Sequence, residues 1–265
     1  MSEHDFISAG YEMPALPLTR TPELQAERLW CCGIEAQAHG SPGAETWSAG
    51  LLGTDCFIHL GDAGQSIRGS VHTGMRIEQR AAVPLSEPLT IQGRTTAVRQ
   101  VPRGDQVEIV FDFKDPSGAS PFTVVLDVLM PDADKMTGPQ DKKVPAAPPA
   151  DPRAGLVMVG ARQLEPRHVQ TYGGAKNPIH LDPEFAQSMG FRAPIAHGVM
   201  TAVWLLGALD KPSAPVELAA DFAFRRPVFW DDAMELWGEG ARFLSLNAGG
   251  KVTAEMTVEK AGYAA

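Results

Sequence analysis

The chain has 265 residues, of which 44% are hydrophobic and 21% are charged. This composition is that of a soluble globular protein and argues against a disordered or fibrous chain. The length allows two small domains or one large one. A formal net charge of −9 argues against nucleic acid or an anionic membrane surface as the main partner.

Several features predict a cytoplasmic protein. The first residues, MSEHDFISAGYEMP, are partly acidic and lack the apolar core of a signal peptide. The longest stretch without charged residues, 193–209, is short for a membrane span and contains proline and glycine. The three cysteines, Cys31, Cys32 and Cys56, are odd in number and include a vicinal pair, which fits a reducing compartment.

The first predicted helix begins after Thr21. Threonine is a good N-cap, Pro22 suits the first turn, and Glu23 lies near the positive end of the helix dipole. The pattern predicts a helix that continues to about Ala36.

Three strands are predicted in the rest of the first half. They are rich in β-branched and aromatic residues and are separated by turn-forming residues at 102–105 and 115–118. The predicted strands are 89–98, 106–113 and 121–129. Short turns between successive strands predict an antiparallel meander.

A proline-rich segment with few large apolar residues, 131–155, follows these strands. Such a composition is typical of a linker. It separates an N-terminal half, 1–130, from a C-terminal half, 156–265, each near the size of a small domain.

The second half contains two predicted helices. Asp182 is a suitable cap for a short helix that ends at Gly190. The segment 197–209 is apolar on nearly all sides, which predicts a helix enclosed by other elements. Three strands follow, predicted at 219–224, 234–243 and 251–259.

The two halves share a weak internal repeat. Pro84 followed by Gly93 in the first half echoes Pro227 followed by Gly238 in the second. This echo predicts a duplicated antiparallel sheet. A helix buried by such a sheet is the hotdog arrangement.

Residues 172–201 carry the most informative motif and read YGGAKNPIHLDPEFAQSMGFRAPIAHGVMT. An Asn-Pro-Ile-His run, a short helix, then Gly-Phe, Pro-Ile and His-Gly before an apolar helix resembles the signature of the MaoC-like family of (R)-specific enoyl-CoA hydratases and 3-hydroxyacyl dehydratases. The matching residues are Asn177, Pro178, Ile179, His180, Gly190, Phe191, Pro194, Ile195, His197 and Gly198.

The resemblance implies an α+β fold of the double hotdog type, in which two antiparallel sheets each wrap a central helix. The first half would be the degenerate partner, and the second would be the MaoC-like unit. The two would pack through their sheets as a pseudo-dimer with one competent site. A homodimer of such pseudo-dimers is an assembly that this arrangement allows.

Hydration of an enoyl thioester needs a base for water, a proton for the α carbon and a donor to the developing oxyanion. A histidine such as His180 can titrate near neutral pH, and Asn177 could orient water or the thioester. Gly198 begins the apolar helix, where its amide has no partner within the helix and suits an oxyanion. A packed loop histidine remains the alternative for His180.

The resemblance also implies a substrate-binding set, namely Tyr172, Ile195, His197 and Arg192. His197 could instead be a structural cap. Arg192, Arg225 and Arg226 are the basic residues nearest the motif and could meet the phosphates of coenzyme A or a carrier arm. Ordinary surface arginines are the equal alternative.

One departure from the family concerns an acidic residue. Ala175, followed by Lys176, occupies the position where the family has the aspartate that works with the histidine, and a gapped alignment also leaves no carboxylate. Asp182 is a helix cap and a poor substitute. Asp62 and His72 of the first half could reach the site across the interface between halves.

The sequence therefore predicts a hydratase or dehydratase of an enoyl or 3-hydroxyacyl thioester, carried by coenzyme A or a carrier protein. The alternatives are a hotdog thioesterase and a non-catalytic acyl-thioester binding subunit that has lost the aspartate. No metal-ligand spacing, glycine-rich phosphate loop or nucleophile elbow is present, so we expect no cofactor.

Overall fold

The computed structural model describes residues 8–34, 45–65, 69–132, 151–173, 177–209 and 214–264. The α-helices in these ranges are α1 (Pro22–Cys31), α2 (Leu52–Asp62), α3 (Pro166–Tyr172), α4 (Pro183–Ser188) and α5 (Gly198–Leu206). The strands are β1 (Leu16–Leu18), β2 (Val71–Gln79), β3 (Leu89–Val101), β4 (Gly104–Lys114), β5 (Phe122–Pro131), β6 (Val157–Gln163), β7 (Glu217–Phe224), β8 (Ala233–Glu239), β9 (Arg242–Asn247) and β10 (Val252–Gly262).

The strands form one 10-stranded sheet in the order β1-β3-β4-β5-β2-β7-β10-β9-β8-β6. The first five strands in this order come from the first half of the chain. The second half repeats the same order when the sheet is followed from its other edge, as β6-β8-β9-β10-β7. The halves meet where β2 pairs antiparallel with β7, with Met75 opposite Phe222 and Ile77 opposite Ala220. The duplication predicted from the sequence is therefore a pair of sheets joined edge to edge.

The echoed glycines have equivalent roles in the two halves. Gly93 on β3 lies opposite Phe111 on β4, and a β-carbon at Gly93 would come within 2.6 Å of the ring. Gly238 on β8 lies opposite Phe243 on β9, where a β-carbon would overlap the ring. Each sheet thus uses a glycine to admit an aromatic side chain from the neighbouring strand.

The central helices α2 and α5 are enclosed by this sheet. Every residue of α5 from Val199 to Leu205 is buried, as its all-round apolar sequence predicts. The two helices approach closely, because a β-carbon at Gly53 of α2 would lie 3.1 Å from Val199 of α5. In the described ranges, no helix is long and apolar enough to cross a membrane.

Several predicted boundaries need correction. The segment 234–243 is not one strand but the hairpin β8 and β9, which turns at Gly240 with φ +58°. The first helix ends at Cys31, and the chain turns at Gly33 with φ +82°, whereas the predicted end at Ala36 lies outside the described residues. The helix predicted over 197–209 ends at Leu206 and continues as a 3-10 turn.

Three further sequence predictions concern the cap of α1, the linker and the cysteines. Thr21 caps α1 by accepting a hydrogen bond from the Leu24 amide. Most of the linker predicted over 131–155 lies outside the described residues. The three cysteines are buried thiols without a disulfide.

Candidate active site

A cavity of about 510 Å³ lies between the two halves, and we call it the interhalf cavity. The first half contributes residues of α2 and of the start of β2, including Thr54, Phe57 and His72. The second half contributes the Asn-Pro-Ile-His motif and the beginning of α5. The candidate site is therefore composite, and neither half encloses it alone.

His180 ends the 3-10 turn Pro178–His180 and lines the cavity. Its Nδ1 lies 2.8 Å from the carbonyl oxygen of Ile195. A carbonyl only accepts, so Nδ1 carries the hydrogen and Nε2 is left as an unprotonated base. Burial lowers the pKa of His180 to about 4, although the Ile195 carbonyl opposes the shift. The imidazole is thus neutral near pH 7.

His197 lies against His180. The two rings stack with centroids 3.7 Å apart and planes at 27°. Burial, followed by the neighbouring His180, holds the pKa of His197 well below its ordinary value. His197 occupies the N-cap position of α5, but its side chain makes no capping hydrogen bond. Its ring lines the cavity instead, so the side chain is not the cap considered from the sequence.

Asn177 fastens the motif to the first half. Asn177 is buried, with 3% of the residue exposed. Its Oδ1 accepts hydrogen bonds from the amides of Gly69 (3.2 Å) and Ile179 (3.4 Å). Its Nδ2 donates to the Ser70 carbonyl at 3.4 Å. Because the oxygen already has two donors, the geometry favours a positioning role over the orientation of water.

Gly198 and Ile195 both line the cavity. Gly198 is the first residue of α5, where amides have no acceptor within the helix and the helix dipole favours negative charge. Ile195 also provides the carbonyl that fixes the tautomer of His180.

Two residues predicted to bind substrate lie elsewhere. Tyr172 is buried outside the cavity wall, where its hydroxyl is hydrogen-bonded to Thr54 and its ring centroid is 5.3 Å from that of His197. It supports the site from behind.

Arg192, also predicted to bind substrate, lies between acidic residues. Its guanidinium is 2.7 Å from carboxylates of both Asp231 and Asp232 and lies 4.1 Å from the ring centroid of Phe229. Arg192 does not line the cavity. Two carboxylates already neutralise it, so it is poorly suited to receive a phosphate.

Acidic residues are missing from the described cavity wall. Asp182 caps α4 by accepting from the amides of Glu184 and Phe185, as expected, and Asp62 is not part of the wall. Ala175 lies outside the described residues. Among the residues that the structure describes, no aspartate or glutamate lines the cavity.

His72 is the first-half residue that does reach the cavity. Its ring lies 4.5 Å from that of Phe224 and 5.0 Å from that of Phe57. Burial lowers the pKa of His72 to about 3.

Three arginines lie at the cavity wall, and the sequence had indicated two of them. Arg225 pairs with Glu255, and Arg226 donates to the Val252 carbonyl. Arg103 comes from the turn between β3 and β4 and is exposed. The turn composition gave no sign that it would extend toward the second half.

Comparison with known proteins identifies similar sequences and folds. Residues 157–259 match the family described as MaoC like domain. The chain is 27% identical over 184 residues to 3-hydroxyacyl-thioester dehydratase X of Mycobacterium tuberculosis, a match that covers 67% of this chain and 63% of that protein. The chain therefore covers less than two thirds of the length of that relative.

Solved structures show the same architecture. The crystal structure of HtdX from Mycobacterium tuberculosis superposes with a TM-score of 0.75 at 21% identity, covering 94% of this chain and 99% of that one. A second Mycobacterium tuberculosis protein, described as having a double hotdog fold, gives a TM-score of 0.66 at 11% identity, covering 97% and 98%. Residues 157–259 of this chain thus match the MaoC-like domain family, within a double hotdog fold.

Proposed function

We propose that this protein is a hydratase or dehydratase that interconverts enoyl and 3-hydroxyacyl thioesters. The observation that carries the proposal is the neutral imidazole of His180, whose Nδ1 is fixed by the Ile195 carbonyl in a cavity that also contains the first turn of α5. A base and an oxyanion site are thereby present in one enclosed volume.

In the hydration direction, Nε2 of His180 takes a proton from water while the water oxygen bonds to C3 of the enoyl thioester. The electron pair of the double bond moves toward the thioester oxygen, where the Gly198 amide stabilises the negative charge. The enolate then collapses, and C2 takes the proton from the His180 imidazolium. One histidine thus moves one proton, and dehydration follows the same steps in reverse.

The family match and the similarity to 3-hydroxyacyl-thioester dehydratase X support this reaction class. Burial also fits the role of His180, because a lowered pKa keeps the base unprotonated at neutral pH. Since the described cavity wall has no carboxylate, the proposal assigns the whole proton transfer to His180.

The coenzyme A or carrier arm of the thioester would extend out of the cavity past the three arginines of its wall. Arg103, Arg225 and Arg226 are exposed there, and phosphate groups of coenzyme A or of a carrier arm are the anions that such guanidinium groups bind. Both halves of one chain contribute to the wall of the cavity.

The test is turnover of crotonyl-CoA and longer enoyl-CoA substrates, followed by the loss of enoyl-thioester absorbance. We expect wild-type protein to hydrate at least one of them and His180→Ala to abolish turnover. Asp182→Asn is the matched control, because asparagine caps a helix as well as aspartate does and Asp182 does not line the cavity.

Other outcomes identify the alternatives. Release of free coenzyme A without hydration would point to a thioesterase. Tight acyl-CoA binding without turnover would point to a binding subunit. Wild-type turnover that survives His180→Ala would contradict the assigned base.

A further inference from the structure

His72 is a half-buried histidine whose two ring nitrogens are buried and have no well-formed hydrogen bond, although the nearby backbone of Gly74 partly opposes the lowering of its pKa. It comes from β2 of the first half, yet it lines the interhalf cavity beside the motif of the second half. Buried polar atoms normally have partners, and one that lacks a partner in a cavity wall is available to a ligand. The described residues contain no group of three or more ligands that could hold a metal ion.

The ring lies beside the beginning of α5. A β-carbon at Gly198 would be 2.9 Å from Nδ1 of His72 and 3.4 Å from its Cγ. The imidazole therefore occupies the space that any other residue at position 198 would fill. His72 and Gly198, the first residue of the helix, are therefore neighbours in the cavity wall.

We propose that His72 is a second oxyanion donor, which binds the thioester carbonyl oxygen together with the Gly198 amide. This inference rests on the proposed function and assigns a further residue to the same site. The substrate oxygen is thus held by one donor from each half of the chain.

A neutral imidazole suits this task. Its N–H donates to a developing oxyanion without losing its proton, and burial strengthens the interaction because few water dipoles screen it. The low pKa of His72 agrees with a ring that stays neutral throughout the physiological range. The rings of Phe57 and Phe224 pack against it and limit its rotation.

The first test compares His72→Phe with His72→Asn and His72→Gln in enoyl-CoA hydration. Loss of one oxyanion donor lowers kcat by about 10²–10³-fold, so we expect that loss in the phenylalanine variant with a much smaller change in KM. Asparagine and glutamine present an amide N–H near the positions of Nδ1 and Nε2, and at least one should restore part of kcat.

The second test measures carbonyl polarisation directly. Butyryl-CoA labelled with ¹³C at the carbonyl has no C2–C3 double bond and cannot be hydrated, so its infrared carbonyl band can be recorded at the site. We expect the bound band to shift to lower frequency in wild-type protein and to return toward its solution value in His72→Phe.

His59→Phe is the matched control. His59 is another histidine of the first half with two buried, unpartnered ring nitrogens, but it does not line the cavity. This variant should leave both kcat and the carbonyl band unchanged, which separates a local loss of stability from the loss of an oxyanion donor.

Three results would overturn the proposal: an unchanged band in His72→Phe, an unchanged kcat in that variant, or amide variants as inactive as the phenylalanine one. Failure of the proposed function gives a different pattern. A wild-type protein that hydrates no enoyl-CoA, but shifts the butyryl-CoA band through His72, would keep the oxyanion site and lose the hydratase assignment. Failure to bind butyryl-CoA would overturn both.

Discussion

The imidazoles of His72, His180 and His197 line one cavity, whose described wall carries no carboxylate. Burial is the main cause that lowers the pKa of each ring, and the proximity of His180 lowers the pKa of the other two further. Protonation of a second ring would place a second positive charge beside the first in a weakly solvated space. The three rings are therefore neutral in the folded protein near pH 7, and their protonation opposes folding.

This coupling predicts a pH dependence of stability. Between pH 6.5 and about 4 the unfolded chain carries a proton on His180 that the folded protein does not. The free energy of unfolding should therefore fall as the pH drops through this window. Removing one such proton difference by His180→Gln should reduce the slope near pH 5 by about 1.4 kcal/mol per pH unit. Urea unfolding at several pH values measures both slopes, and equal slopes would contradict the buried neutral state.

Gly198 offers a second prediction at this scale. An alanine β-carbon would lie 2.9 Å from Nδ1 of His72, so Gly198→Ala must displace the imidazole from the oxyanion site. We expect a loss of hydration activity of about tenfold or more, with little loss of helix stability because alanine is the better helix former.

The control for that variant is Gly61→Ala in α2, where a β-carbon would meet nothing within 4 Å. Both proteins are compared by kcat and by thermal unfolding. If both lost activity equally, or if Gly198→Ala retained full activity, the close approach of His72 would have no catalytic meaning.

At the scale of elements, the paired strands of each half explain why the sequence echo was informative. Gly93 and Gly238 lie opposite Phe111 and Phe243, so each glycine marks a site where a neighbouring ring fills the space above the backbone. The repeated glycine therefore reflects a packing requirement that the two sheets share, although the surrounding residues differ.

Gly238→Ala should therefore destabilise the second sheet. Its β-carbon would overlap the buried ring of Phe243, and overpacking of this kind costs about 1–3 kcal/mol. Gly160→Ala on β6 is the matched control, because the nearest atom to its β-carbon is 3.9 Å away. Chemical unfolding measures the difference, and Phe243→Leu in the Gly238→Ala background should recover part of it.

Strands with strong alternation were predictable from sequence, whereas elements stabilised by tertiary contacts were not. The strands β3, β4 and β5 agree with the predicted segments to within a few residues at their ends. These segments were predictable because their β-branched and aromatic residues lie between short turns. Helix α2 was missed because its sequence, LGTDCFIHLGD, combines glycines with residues of low helix propensity, and it is stabilised by burial. Strand β2 was missed for a related reason, since Gly74 and polar residues interrupt its pattern.

The site was predictable in part. The motif identified His180 and Gly198 because its spacing resembles that of a known family. Spacing does not give the direction of a side chain, so it could not show that Tyr172 and Arg192 are absent from the described cavity wall. The participation of His72 depends on the pairing of β2 with β7, which no local pattern encodes.

At the scale of the whole molecule, the sheet and the cavity both cross the boundary between halves. Beside the β2 and β7 pairing, Arg76 of β2 forms ion pairs with Asp221 of β7 and Glu259 of β10. Asn177 of the second half holds the backbone of Gly69 in the first. Separation of the halves would expose an unpaired strand edge and open the active-site wall.

The halves should therefore function only together. The isolated fragment 156–265 retains His180 and Gly198 but loses His72 and the β2 edge, so we expect it to lack hydration activity and to self-associate in size-exclusion chromatography.

A protease site inserted within the proline-rich segment 131–155 of the full chain tests the same idea without removing any part of the cavity wall. After cleavage the two halves should coelute under native conditions and retain activity, because strand pairing and the shared cavity hold them together. Separation of the cleaved halves with full activity in the second would show that the composite cavity is unnecessary.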